Sequence, residues 1–273
     1  MRFLPRRRSV PVENSGAARA VDPDELTITT YNIWNDAKSA GARYHAIAQL
    51  LSRRSPDVMV FQEVTRAALD VFLAQPWIRD GYARAAVVGA DTGDYGMLLL
   101  SRVPFSEVTY TRLPTRQSRG FLRAELALAG APVVCCIHLD SGKTSSRIRG
   151  WQLRRIFAAL TSTENAVVLG DFNMRDEENA RIGDPYCDVW PALRPGEDGF
   201  TEDTSINLMR YDMKDKHRHV RFDRVLIKGS AWAPEDIELL GKEPLSADLP
   251  RVFPSDHFGV ECKLRRRTPS ACR

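Results

Sequence analysis

An apolar segment that stops abruptly at a carboxylate constrains this 273-residue chain more than any other feature. The run 167–170 predicts a buried strand, and Asp171 and Asn173 follow it directly. Side chains two residues apart point to the same side of an extended backbone, so these two polar groups would act together. Polar residues at the end of a buried strand commonly serve chemistry. The chain is therefore expected to form a sheet with a polar site at one edge.

A second polar motif lies near the C-terminus, where Ser255, Asp256 and His257 stand together. A carboxylate beside an imidazole can orient the ring and stabilise its protonated form. We therefore expect Asp256 to hold His257 in the charged state. Together with the first motif, this pairing predicts hydrolysis assisted by a metal ion.

Other predicted strands also end beside polar side chains. Three of them are 26–33, with Asn32 near its end, 57–61, followed by Glu63, and 133–138, which ends at His138. In layered α/β domains such strand ends converge on one rim, so these residues could share a site with the first two motifs. Each also has a simpler role: Asn32 could hold a turn, Glu63 could be a surface acid, and His138 could be a hydrogen-bonded core histidine.

The remaining pattern predicts one α/β domain with a large sheet component. Further strands are expected at 97–101, 121–128, 222–227 and 258–264, and helical spacing of apolar residues recurs near 44–51, 65–72 and 153–160. Residues 175–221 are rich in Asp, Gly and Pro and have weak periodicity, which predicts a long irregular surface excursion. No internal repeat is present.

The formal net charge of +4 is concentrated at the two ends of the chain. Residues 1–20 contribute +4 and residues 265–273 contribute another +4, which leaves residues 21–264 with −4. A polyanionic partner would therefore have to meet a local basic patch, a bound cation or the arginine-rich ends.

Composition also suggests how the chain is divided and where it works. We expect residues 1–24 to be a mobile basic tail, residues 25–265 a single domain, and residues 266–273 a second basic tail. The first twenty residues lack the apolar core of a secretory signal; a mitochondrial presequence or a nucleic-acid-binding arm are alternatives. Five cysteines without C-x-x-C spacing favour a reducing intracellular compartment, cytoplasm or nucleus. No apolar run is long enough to span a membrane.

Four short motifs, taken in order, resemble those of the endonuclease/exonuclease/phosphatase superfamily. They are Thr30-Tyr31-Asn32, Gln62-Glu63, Gly170-Asp171-Phe172-Asn173 and Ser255-Asp256-His257. Independent turn and cap residues would not be expected to reproduce one ordered set. The resemblance covers residues 26–264.

Longer stretches resemble the 5′-tyrosyl-DNA phosphodiesterase branch, whose members remove topoisomerase tyrosine adducts from DNA ends. They are HLDS at 138–141, GDFNMRD at 170–176, RFDRV at 221–225 and FPSDHFG at 253–259. The chain departs from the branch at Asp140, where a glutamate is expected.

The resemblance implies a four-layer α/β/β/α sandwich, two packed β-sheets flanked by helices, with the site at one rim. It implies Mg²⁺ as the cofactor, with Mn²⁺ as a substitute. Mg²⁺ prefers oxygen ligands and keeps several waters, so Glu63 could hold it as the principal ligand, with Asn32 in the metal shell or on the phosphate.

The resemblance also implies the other roles. Asp171 would polarise the attacking water with help from Asn173, and His257, held by Asp256, would donate to the phosphoryl oxygens, with His138 as a second donor. The expected partner is DNA with a 5′ tyrosyl or protein adduct, at single-stranded ends; no protein partner is expected.

Several residues are expected to contact the substrate or support the site. Substrate contacts are assigned to His138, Ser141, Arg175 and Tyr95. Trp190 and Trp232 are further stacking candidates, although a core position suits each aromatic better. Asp223 could support the site or form a structural salt bridge.

Other activities remain open at this point. The same site could serve an abasic-site nuclease, a deadenylase, an inositol-phosphate phosphatase or a sphingomyelinase-like enzyme. A non-catalytic nucleic-acid-binding module is a further alternative, which the intact Glu63, Asp171, Asn173 and His257 argue against.

Overall fold

Two β-sheets face each other across an apolar core in the computed structural model, which describes residues 6–14, 21–22, 24–89 and 92–267. One sheet has seven strands, in the spatial order β1 (Arg7–Ser9), β6 (Phe105–Arg112), β7 (Gly120–Leu126), β8 (Val133–His138), β9 (Ala166–Asp171), β13 (Asp223–Lys228) and β10 (Tyr186–Asp188). The other has six, in the order β14 (Trp232–Leu240), β15 (Gly259–Arg266), β2 (Glu25–Asn32), β3 (Val58–Val64), β5 (Gly96–Ser101) and β4 (Ala83–Val87). A two-stranded ribbon joins β11 (Glu202–Asp203) to β12 (His219–Val220).

The described ranges contain six α-helices. They are α1 (Ala40–Arg54), α2 (Arg66–Leu73), α3 (Pro76–Gly81), α4 (Ser146–Ala159), α5 (Val189–Leu193) and α6 (Leu208–Asp212). The first three pack on the six-stranded sheet through buried residues such as Ile47 and Phe72, and α4 packs on the seven-stranded sheet through Leu153 and Ile156. The predicted four-layer α/β/β/α sandwich is thus confirmed. No helix in the described ranges is both long and apolar enough to cross a bilayer.

Period-two burial explains how the strands build these layers. In β9, Val167 and Leu169 face the core between the sheets, whereas Val168 faces α4. In β3, Val60 faces the same core and Phe61 faces the helices. Each strand therefore contributes to two apolar layers, and its last residue on the inner side points into the space between the sheet edges.

Each sheet contains one parallel strand pair, and this pairing positions the polar residues. The strands β2 and β3 are parallel and joined by α1, and β8 and β9 are parallel and joined by a connection that includes α4. Parallel strands end at the same edge of their sheet. The carboxyl ends of the two pairs therefore bring four polar residues to one rim: Asn32, Glu63, His138 and Asp171.

The sequence misjudged two segments. Part of the expected mobile tail is ordered, because Arg7–Ser9 pairs along β6 and satisfies the backbone of that edge strand; residues 1–5, 15–20, 23 and 268–273 lie outside the described residues. The excursion at 175–221 contains three short strands, two short helices and a 3₁₀ turn at Asp176–Arg181. Its elements are too short to show a periodic pattern.

Two aromatic residues considered as stacking platforms lie in the interior, the position that was expected to suit them better. Trp190 and Trp232 belong to the core between the sheets and are almost fully buried. Their indole N–H groups donate to the carbonyls of Glu197 and Gly130, both at 2.9 Å. Neither ring is available to a base.

Candidate active site

Amide donors connect the carboxylates of the two parallel strand pairs. The Nδ2 atom of Asn32, at the end of β2, lies 3.0 Å from Asp171 Oδ2 and 3.4 Å from Glu63 Oε1. The bond to Asp171 spans the gap between the sheets, whereas the bond to Glu63 joins two neighbouring strands of one sheet. The two bonds hold two carboxylates together that would otherwise repel each other.

A break in the pairing of β3 turns Glu63 toward this rim. The register shifts between Gln62 and Val64, and Glu63 adopts a φ of 60°. In regular pairing the side chain of Glu63 would share the helix-facing side with Phe61; a bulge can re-aim such a side chain. Its Oε2 accepts a hydrogen bond from the backbone N–H of Asn35 at 3.1 Å.

Asp171 is held by the backbone and side chain of Asn173. The two oxygens of Asp171 accept from the N–H of Asn173 at 2.8 Å and from its Nδ2 at 3.0 Å. Asn173 has a φ of 50° and also donates to the carbonyl of Leu139 at 3.2 Å. Burial, and then the negative charge of Asp223, raise the pKa of Asp171 to about 7.

His138 presents an imidazole nitrogen to both carboxylates. Its Nε2 lies 3.4 Å from Asp171 Oδ2 and 3.9 Å from Glu63 Oε1, and it is buried with no hydrogen-bond partner among the described residues. Burial, with the positive charges of Arg119 and His257, lowers the pKa of His138 well below its usual value. The ring is therefore neutral near pH 7.

Tyr95 acts on His138 rather than facing the main pocket. Its ring stacks on the imidazole with a centroid distance of 6.0 Å, and Arg119 lies over the ring at 5.4 Å and donates to its hydroxyl at 2.9 Å. Tyr95, proposed as a substrate contact, therefore positions His138.

Asp223, and not Asp256, bonds the ring of His257, so the expectation that Asp256 orients this histidine is wrong, although the charge of Asp256 helps to raise the pKa of the ring. His257 Nδ1 lies 2.7 Å from Asp223 Oδ2, whereas an Asp256 oxygen lies 3.7 Å from Arg210 Nε. Pairing of β13 with β9 places Asp223 opposite Asp171, at the same rim as His257.

The charge of His257 follows from these neighbours. Burial lowers the pKa of His257, but the charges of Asp223 and Asp256 outweigh this effect and raise it well above its usual value. The ring is therefore cationic near pH 7. Burial, opposed by His257, raises the pKa of Asp256 to about 6.

Ser255 connects this histidine to the end of β2, the strand that pairs with β15. Its hydroxyl donates to the carbonyl of Asn32 at 2.7 Å and accepts from the N–H of His257 at 3.2 Å. The motif thus fixes His257 relative to the carboxylates.

Three charged residues that sequence reasoning missed complete the site. Glu202 Oε1 lies 3.7 Å from His257 Nε2, and its two oxygens approach Arg210 Nε at 3.2 Å and Arg218 Nε at 2.6 Å. All three come from the excursion at 175–221. Charged residues are common in such segments, so no sequence signal distinguished them.

Glu63, Asp171, Asn173, Glu202, Asp256 and His257 line one cavity of about 360 Å³. His138 and Tyr95, also predicted to contact the substrate, line a smaller cavity beside it. The walls of the larger cavity include Ser141 and Arg175, as predicted for substrate contacts, and a set of further basic residues, Lys143, Arg210, Lys214 and Arg218. Phe222 lies beneath Arg175 and Arg218, whose guanidinium carbons are 5.8 and 5.6 Å from its ring centroid. The cavity therefore combines carboxylates on one side with cations on the other.

Asp140, where the sequence departs from the branch pattern, is structural. It is buried and accepts from the N–H of Arg116 at 2.9 Å and from Gln152 Nε2 at 2.8 Å. These bonds hold the connection before β7 against α4. The exchange of glutamate for aspartate leaves the end of β8 in place.

Two sets of groups in the cavity were tested as holders of a divalent cation. Glu63 and Asp171 present carboxylate oxygens beside Asn32, no cationic side chain in the described part of the chain pairs with either, and this set suits an ion that prefers oxygen. Glu202, Asp256 and His257 also have potential ligand atoms within 4.8 Å of one another. However, Glu202 is already paired with Arg210 and Arg218, and Arg210 also faces Asp256. The first set fits better.

Comparison with known proteins agrees with this geometry. Tyrosyl-DNA phosphodiesterase 2 from Xenopus laevis is 29% identical over 272 residues, which cover 93% of this chain and 70% of that protein. The Homo sapiens protein of the same name is 29% identical over 260 residues, covering 88% and 68%. The crystal structure of D. rerio TDP2 complexed with single strand DNA product has a TM-score of 0.78 at 26% identity, covering 88% of this chain and 99% of that one.

A family model matches most of the domain. The model of the Endonuclease/Exonuclease/phosphatase family aligns with residues 29–257, a range that contains all four motifs. The superfamily predicted from those motifs is thus confirmed. This chain belongs to the endonuclease/exonuclease/phosphatase family.

Proposed function

We propose that this protein hydrolyses the 5′-phosphotyrosyl bond between DNA and a topoisomerase remnant, with Mg²⁺ as cofactor. The observation that carries the proposal is the single cavity in which Glu63, Asp171 and His257 meet beneath a basic wall. The named relatives support this substrate class. Its DNA partner would be a single-stranded 5′ end, as in the D. rerio complex.

Glu63 and Asn32 would hold the cation at the carboxylate side of the cavity. When bound, Mg²⁺ neutralises charge on the phosphoryl oxygens and aligns the phosphate; Mn²⁺ offers similar chemistry. The Asn32 amide also keeps Glu63 and Asp171 within reach of one phosphate.

Asp171 takes the proton of the attacking water. A general base works best when its pKa lies near the working pH, and the pKa of Asp171 is raised to about 7. Asn173 and Asn32 fix the carboxylate by donating to its oxygens. No covalent enzyme intermediate is required.

His257 stabilises the phosphoryl group as charge develops on it. Asp223 occupies Nδ1, so Nε2 carries an N–H that can donate to a phosphoryl oxygen. His138 is a second, neutral donor, since its Nε2 has no partner among the described residues. Ser141 and Arg175 contact the substrate from the cavity wall.

The leaving group demands little of the protein. A phenol has a pKa of about 10, so the tyrosyl oxygen departs without strong protonation. Selectivity then comes from binding the DNA end, for which the basic wall is suited.

The test compares paired single strands that carry tyrosine on a 5′- or a 3′-phosphate. Release of tyrosine from the 5′ substrate only, dependent on Mg²⁺ and lost in Asp171→Asn and Glu63→Ala, would support the proposal. An intact 5′ substrate under these conditions would refute it, and cleavage of abasic or polyadenylate strands instead would point to another member of the family.

A further inference from the structure

We propose that the exposed side of α4 is a binding track for the single strand that leaves the active-site cavity. This side, named the α4 ridge, consists of Arg147, Trp151, Arg154 and Arg155. The inference rests on the proposed function, since it assigns the path of that substrate. It concerns a surface outside the cavity described above.

The ridge is an aromatic residue surrounded by unpaired arginines. Trp151 is 51% exposed, more than any other large apolar side chain in the described ranges. Arg147 lies one turn before it, and Arg154 and Arg155 lie one turn after it, all exposed. Among the described residues none of the three arginines forms an ion pair.

The position of α4 connects the ridge to the cavity. The helix follows β8, which ends at the site, and runs back toward the start of the parallel strand β9. Lys143, three residues before the helix, lines the cavity. From there Arg147, Trp151 and Arg155 follow at intervals of four, so they continue along one side of the helix, away from the rim.

Buried contacts fix the first turn of α4 to the cavity wall. Arg149, on the inner side of the helix, donates from NH1 to the carbonyls of Asp140 and Gly142 at 2.9 and 2.8 Å. Its Nε donates to Glu178 Oε2 at 3.1 Å, which ties the helix to the segment after Arg175. These bonds fix the start of the ridge relative to the cavity wall.

The chemistry of the ridge favours a nucleic acid strand. Single strands bind where cations follow the backbone and an aromatic ring accepts a base by stacking. Residues 21–264 carry a net charge of −4, yet α4 contains no acidic residue. One exposed tryptophan is a small apolar area for a protein interface. The apolar face of α4 is buried against the sheet, so it cannot enter a lipid surface.

The first experiment measures binding of 5′-phosphorylated single strands of about 4 and about 16 nucleotides, the usual range of site sizes. Arg147→Ser/Arg155→Ser should weaken binding of the long strand about tenfold and lower its salt slope by about 1.4, the release expected for two phosphate contacts. Binding of the short strand should be unchanged. The matched control is Arg53→Ser/Arg66→Ser, which removes two exposed arginines on the six-stranded side of the molecule.

The proposal would be overturned if the ridge variant and the control variant weakened DNA binding equally, or if the ridge variant weakened binding of the short and the long strand alike. Either result indicates a general charge effect. Trp151→Ala should weaken binding of the long strand about tenfold, a loss toward the lower end of the range for base–aromatic stacking. Trp151→Tyr should restore most of this binding. No loss in Trp151→Ala would overturn the stacking role. Loss of binding to anionic vesicles, with DNA binding intact, would assign the ridge to a membrane instead.

Hydrolysis separates this proposal from the proposed function. If wild-type protein cleaves the short 5′-phosphotyrosyl substrate, and the ridge variants cleave it equally well but lose the advantage of the long one, both proposals stand. If the wild type and the ridge variants show the same preference for the long substrate, the binding track is refuted and the proposed function still stands. If wild type cleaves neither substrate, the proposed function fails.

Discussion

The two halves of the cavity treat buried charge in opposite ways. In the carboxylate half, Asn32, Glu63 and Asp171 place two acids together with only amide donors between them. In the imidazole half, the acids Asp223, Asp256 and Glu202 are matched by His257, Arg210 and Arg218. Among the described residues the first half has no paired cation, whereas the second carries its own.

This difference explains the opposite protonation of the two histidines. His138 adjoins the carboxylate half but is buried beside Arg119, which keeps the ring neutral. His257 is equally buried but contacts Asp223, which keeps it charged. One histidine can therefore lie beside a bound cation without repelling it, while the other supplies positive charge to the phosphate.

The largest expected effect is that of Asp171→Asn in the carboxylate half. We expect kcat to fall about 10³-fold, within the range of general-base contributions. In metal-free protein at pH 8 the same change should raise Tm, because the raised pKa of Asp171 makes its ionised form unfavourable above about pH 7. Kinetics and thermal unfolding measure both, with the exposed Glu177→Gln as control. A variant with wild-type kcat would remove Asp171 from the mechanism.

A smaller effect is expected from Asp223→Asn in the imidazole half. Loss of this partner should lower kcat about 10²-fold, as for other lost donors to a developing oxyanion. The pKa of His257 is raised in the wild type, so its charged form persists above its usual range and is lost only as pH rises further. In the variant the alkaline limb of the kcat/KM profile should move to lower pH. An unmoved limb would show that His257 is not the group that titrates there.

The smallest effect is expected from Asp256→Asn. Asp256 faces Arg210 and does not bond the ring of His257 directly. We expect kcat to fall less than about tenfold, since the general base Asp171 and the donor His257 both remain. The alkaline limb should move less than in Asp223→Asn. A larger shift than that of Asp223→Asn would reverse the assignment of the histidine partner.

The motifs could be recognised in the sequence, but the directions and partners of their side chains could not. The period-two pattern of β3 places Glu63 on the helix side, and only the register break with its positive φ brings the carboxylate to the rim. The prediction for Asp256 failed because adjacency in sequence is not adjacency in space. Asp223 reaches His257 through pairing of β13 with β9, a contact between distant segments.

The sequence predicted the fold better than it predicted the imidazole half of the site. Long apolar strands such as β9 predict their own burial, and the resemblance supplied the four-layer arrangement. Glu202, Arg210 and Arg218 come from short elements whose positions are set by tertiary contacts. Their ion pairs could not be inferred from residue spacing.

The central claim is that the carboxylate half holds the cation, and thermal unfolding with Mg²⁺ tests it most directly. At a concentration about 100 times Kd, binding adds about 2.7 kcal/mol, which should raise Tm by about 5 °C or more. The increase should be larger at pH 8 than at pH 6, because Asp171, whose pKa is raised to about 7, loses the negative charge that attracts the cation when it takes up a proton. Glu63→Ala should abolish the shift, and Glu202→Gln should retain it. A shift that survives Glu63→Ala and disappears in Glu202→Gln would place the cation in the imidazole half and contradict the account.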